Sequence, residues 1–91
     1  MKHAGSHALV ELQPLLAELR RFTGLVERTP GSFYRKGAAF LHFHEDPAGL
    51  FADVKLDGRH FERFRVSARP DQESLLARVR AVVGAAPGPG G

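Results

Sequence analysis

Along the first quarter of the chain, apolar residues recur every three or four positions. Leu9, Leu12, Leu16 and Leu19 make one stripe, Leu15 and Phe22 widen it, and Glu11, Glu18, Arg20 and Arg21 fall on the other side. This spacing predicts an amphipathic helix over residues 8–22 with one buried face. Pro14 interrupts the pattern, because proline has no amide hydrogen and its ring crowds the preceding turn. Either the helix begins at Pro14 or one helix is kinked there. The stripe runs through the proline, which favours the kink. Thr23-Gly24 closes the element, with Gly24 suited to a left-handed cap, and residues 25–31 read as a connector.

The period then changes to two. Residues 32–36 are a short strand or strand entry, Gly37 is a bend or bulge, and residues 38–45 are a clear strand. Asp46-Pro47-Ala48-Gly49 has the residues of a type I turn. Residues 50–56 alternate again, Asp57-Gly58-Arg59 is a tight turn, and residues 60–66 form the next strand. Pro70, Asp71 and Glu73 suit the start of a last helix over residues 70–83, striped by Leu75, Leu76, Val79, Val82 and Val83 and stopped by Gly84. The prediction is a single α+β domain over residues 1–84, ordered helix, three- to four-stranded antiparallel meander, helix. It has two layers, with both helices on one sheet face. Residues 85–91, AAPGPGG, are expected to be a disordered tail.

Alternation also sorts the two faces of the sheet. Leu41, Phe43, Leu50, Ala52, Val54, Leu56, Phe64 and Val66 point to the core, with Glu62 at its rim. The turn lengths set the register. A four-residue turn places His44 opposite Phe51, His42 opposite Asp53 and Phe40 opposite Lys55. A three-residue turn places Lys55 opposite Phe61, Asp53 opposite Arg63 and Phe51 opposite Arg65. A slip of one residue would mix core and surface. The outer face therefore carries three rows: Phe40–Lys55–Phe61, His42–Asp53–Arg63 and His44–Phe51–Arg65.

Composition narrows the chemistry. A chain of 91 residues allows one domain with one modest core, and dimerisation would be a way to add buried area. The absence of cysteine excludes disulfides, a thiolate nucleophile and sulfur ligation of a metal. No segment has the roughly 20 apolar residues that a membrane span needs, and the start of the chain lacks the apolar run of a signal peptide. A cytoplasmic, bacterial-type protein without a membrane partner is expected. The net charge of +3 and pI near 10.0 are compatible with anionic partners without requiring them.

Three readings of the outer face follow. Phe40, Phe51 and Phe61 make it partly apolar, which suggests a protein partner or self-association as a homodimer. The same rings among Lys55, Arg63 and Arg65 could stack bases and neutralise phosphates, so nucleic acid is the alternative. His42, His44 and Asp53 make a legitimate metal-ligand set, weakened by Arg63 competing for Asp53 and by the lack of any third histidine expected nearby. No serine lies in an elbow or triad context, and no glycine-rich phosphate loop is present. The adjacent Glu45 and Asp46 are turn residues. No catalytic residue or cofactor is assigned, and the domain is expected to be a non-enzymatic binding or interaction module.

Residues 25–56, LVERTPGSFYRKGAAFLHFHEDPAGLFADVKL, resemble the central part of the YjbR/MmcQ-like small bacterial proteins. Those have a Pro-Gly connector after helix one, then a "GxxFxxxGKxFA" strand pair. Gly31, Phe33, Gly37, Phe40 and Leu41 would hold comparable places, and the helix at 70–83 is similar to the family's closing helix. This chain is shorter and, having no tryptophan, lacks the family's tryptophan-bearing segment before the last helix. The resemblance implies an α+β double-wing fold and a suggested DNA-binding role, and it supplies no catalytic residues.

Overall fold

The leucine stripe folds as two short helices. In a computed structural model that describes residues 2–84, a two-residue strand, β1 (Lys2–His3), is followed by α1 (Ser6–Glu11) and α2 (Gln13–Leu19). The tail expected at residues 85–91 lies outside the described residues. The break falls at Leu12 (φ −90°, ψ 2°), and Pro14 sits in the first turn of α2, where its missing amide hydrogen leaves nothing unpaired. The proline thus both ends one helix and starts the next. The stripe survives the break: Leu12, Leu15, Leu16 and Leu19 are all buried.

Five strands then run as an antiparallel meander: β2 (Val26–Thr29), β3 (Ser32–Arg35), β4 (Ala38–Asp46), β5 (Gly49–Val54) and β6 (Glu62–Arg65). The chain closes with α3 (Arg69–Val83), capped by Gly84 at φ 92°. The α+β architecture is the expected one, with one strand more in the meander and an extra strand at the start. Residues 25–31, expected as a connector, contain β2. This edge strand has no inward alternation to betray it, and its Val26 is 58% exposed. Lys36 and Gly37 form the two-residue turn between β3 and β4, both with positive φ (53° and 80°), the hand that suits strand twist.

The core lies between the helices and one face of the sheet. Leu15, Leu16 and Leu19 of α2 and Leu75 and Val79 of α3 join Phe33, Leu41, Phe43, Ala52, Val54 and Val66 in one cluster. No helix among the described residues is long and apolar enough to cross a membrane.

Two local irregularities correct the expected faces. Ser32 and Phe33 pair with His42 and Leu41, but Tyr34 and Arg35 pair with Ala39 and Ala38. Phe40 is thus the extra residue of a β-bulge, and the bulge turns it inward beside Leu41. Phe40 is 3% exposed and belongs to the core, not to the outer face where strict alternation placed it. Between β5 and β6 the register is the expected one, with Asp53 opposite Arg63 and Phe51 opposite Arg65. The ladder, however, stops at Val54 and resumes at Glu62. Asp57 accepts hydrogen bonds from the amides of Arg59 and His60, both at 2.7 Å, so the turn closes on itself before Leu56 and His60 can pair. Those donors, that of His60 first, bring the Asp57 pKa down to about 2. Glu62, placed at the core rim, pairs with Val54 and is exposed.

A charged clamp fixes the helices to the sheet edge. Glu27 accepts two hydrogen bonds from Arg20 (2.6 and 3.1 Å) and one from the Gly31 amide (2.9 Å). The Arg20 hydrogen bond is the main reason that the Glu27 carboxyl titrates below its usual 4.5. A depressed carboxyl pKa stabilises the fold fully above the unfolded value, and that contribution is lost as pH falls through the folded value. Glu27→Gln should therefore be less stable than the parent at pH 7, and the gap should close as pH drops below about 4.5. Urea unfolding at pH 7 and at pH 3 measures this; an equal gap at both would remove the clamp from the account.

Candidate metal centre

The long strand β4 is paired on one edge by β5 from Leu41 to Asp46. Its other edge is shared end to end: β3 covers Ala38 to His42, and β1 covers His44 and Glu45. Directly opposed residues in a ladder point to the same face. His3 opposes His44, so His3 arrives on the outer face next to the two histidines of β4. The backbone of β1 is held by the Ala4 amide donating to Phe43 O (3.1 Å) and the Gly5 amide donating to Glu45 Oε1 (3.0 Å).

The three imidazoles converge. The ring centroids of His3 and His44 are 4.9 Å apart, those of His42 and His44 4.7 Å, and those of His3 and His42 5.8 Å. One ligand nitrogen from each ring lies within 4.8 Å of the other two. Tetrahedral nitrogens at about 2.1 Å from a zinc ion stand about 3.4 Å apart, so the rings would swing inward by about an ångström on loading. Nδ1 of His42 and both ring nitrogens of His44 are buried without a hydrogen bond. Buried polar atoms are rarely left so, and an ion is one partner that would satisfy them.

Asp53 stands behind this cluster. It is 8% exposed, and Arg63 grips it with two hydrogen bonds, Nε to Oδ1 at 2.7 Å and a terminal nitrogen to Oδ2 at 2.8 Å. That grip is the main reason its carboxyl titrates below the usual range, against the opposing effect of burial. Its Oδ2 also lies 3.0 Å from His44 Nε2, close enough for attraction but out of line for a hydrogen bond. His42 and Asp53 face each other in the backbone register as expected. The close carboxylate contact is nevertheless diagonal, to His44, while the His42 ring packs edge-on against Phe61 at 4.9 Å. Burial is the largest influence on His42 and lowers its pKa, with neighbouring His44 adding to the effect. Burial thus favours the neutral ring, the form that binds a metal.

The candidate ligand set moves accordingly. His42 and His44 keep their places, but Asp53 is occupied by Arg63 and fits the role of the carboxylate that orients a ligating histidine. The third imidazole is His3, contrary to the expectation that none lay near. No period or spacing marks it, because a two-residue strand is too short to show one. The rest of the outer face is as expected apart from Phe40. Lys55 Nζ lies 4.8 Å from the Phe61 ring centre and the Arg65 guanidinium 5.8 Å from that of Phe51. Arg65 also donates to Ala48 O at 2.8 Å.

Comparison with known proteins returned no match: no family model, no curated protein and no solved structure aligns significantly with this chain.

Proposed function

We propose that this domain binds a divalent transition-metal ion through His3, His42 and His44, with Asp53 orienting His44. The observation that carries the reading is the convergence of three imidazoles, two of which, His42 and His44, have buried ring nitrogens without hydrogen-bond partners, while His3 is exposed. Three nitrogen donors without sulfur suit zinc, and copper(II) and nickel(II) also accept imidazole. The fourth position would be left to water or to a further ligand. The role assigned is ion binding, with no reaction attached to it.

The other outer-face groups favour this reading over base stacking or an apolar contact. Phe51 and Phe61 are each faced by a cation of the same chain, and Arg63 is committed to Asp53. Those rings and charges already have partners that nucleic acid or a second protein would have to displace. Among the described outer-face residues, ring nitrogens of His42 and His44 are the buried polar atoms without a hydrogen bond.

Titration calorimetry on the chain stripped with EDTA tests the proposal. One zinc ion per chain is expected. His42→Ala combined with His44→Ala should lose more affinity than the roughly 100-fold that a merely supporting residue can account for. Equal uptake by parent and double variant would sink the site. A zinc-dependent dimer in sedimentation, with one ion per two chains, would replace it with a bridged one.

A further inference from the structure

We infer that the ion acts as a clasp, and that its binding is what holds residues 2–11 against the sheet. This rests on the metal reading above and adds a consequence to it. Two of the three ligands sit on β4, at the centre of the sheet, where the alternate residues Leu41 and Phe43 are buried in the core. The third, His3, sits on a segment with few attachments of its own.

Among the described residues, the packing and capping of this segment are slight. β1 is two residues long and pairs only on one side. α1 has six residues, far short of the roughly 12–15 at which an isolated helix becomes even marginal. Its N-cap is Gly5, without a side-chain hydrogen bond, and no acid lies in its first turn. Ala8 is its only buried residue, while Val10 is 67% exposed. Leu9 is only partly buried, leaning toward Gly31, where an added Cβ would meet its Cδ2 at 2.8 Å. By contrast α2 buries Leu15, Leu16 and Leu19.

An ion that binds only the docked arrangement shifts the docking equilibrium by mass action. At a free zinc concentration of about 100 times Kd, the ratio of docked to undocked segment rises about 100-fold. Docking also completes a cleft lined by His3, Ala4 and Leu9 of the segment together with residues 29–32 and Phe43. The cleft exists only while the segment is in place, so the ion governs that surface as well.

Hydrogen exchange with and without zinc reads the clasp directly. In the parent, the amides of Ala4, Gly5 and Leu9 are hydrogen-bonded only when the segment is docked or helical. Excess zinc should slow their exchange by about tenfold or more, leaving the β4–β5 ladder unchanged. His3→Ala, a change at an exposed position, should abolish the slowing while the ladder amides report an intact fold. His42→Ala should do the same from the other side of the ion. Stoichiometric zinc uptake with no slowing in the segment would overturn the clasp and leave the metal site standing. Slowing of equal size in His3→Ala would overturn it too. No uptake at all would remove both.

Discussion

Replacing Phe40 with alanine is expected to remove about 3–5 kcal/mol of stability, the range for deleting a buried phenylalanine side chain. Phe40 is 3% exposed, and its ring belongs to the cluster that includes Leu41 and Phe43. A domain of this size holds roughly 5–15 kcal/mol in total, so the variant should sit near its unfolding transition at 25 °C. Phe61→Ala is the comparison, since Phe61 is 41% exposed on the outer face, and it should cost far less. Strict alternation gives the opposite forecast, with Phe40 and Phe61 as members of one surface row and similar small losses at both. Denaturant unfolding of the two variants at pH 7 separates the forecasts. Similar losses would mean that the bulge does not turn Phe40 inward in solution.

Asp53→Asn is expected to lower zinc affinity by about 10–100-fold, the usual penalty for losing the carboxylate behind a ligating histidine. The substitution keeps the shape and removes the charge. It also replaces one acceptor oxygen with an NH2 group, so the side chain can no longer accept both Arg63 hydrogen bonds and loses its charge beside His44. The imidazole of His44 would lose the group 3.0 Å from its Nε2 that biases its orientation. Arg63→Ala provides the contrast. It frees the Asp53 carboxylate from its two-pronged hold, so the anion can move toward the ion, and affinity should hold or rise. Competition against a chromophoric chelator measures both. If Asp53→Asn and Arg63→Ala weaken zinc equally, the pair acts only by supporting the sheet, and the orienting role is wrong.

These two sites also mark where the primary sequence was and was not legible. Residues 50–54 read well because Leu50, Ala52 and Val54 alternate with Phe51 and Asp53 in the residues themselves, even though Asp53 on the outer face is buried too. The pairings of His42 with Asp53 and Asp53 with Arg63 followed from turn length, because any other register would have put Val54 or Phe43 into water. Phe40 was misplaced because a bulge depends on the partner strand: the extra residue is defined by where Tyr34 pairs, and nothing at position 40 announces it. β2 was missed because an edge strand with both faces largely wet carries no alternation. His3 was invisible for a related reason. Its position is set by the spare length of β4 beyond β3, a property of the assembled sheet.

His42 and His44 alternate on β4 with Leu41 and Phe43, so one strand presents ligand atoms to one side and core side chains to the other. A shift of that strand by a single residue would bury both histidines and expose both apolar side chains. The hydrophobic core therefore acts as the ruler for the metal centre: it fixes the height and spacing of two ligands before any ion arrives. Mutations that loosen the core should degrade ion affinity even at positions far from an imidazole, and a bound ion should in return penalise every alternative alignment of β4.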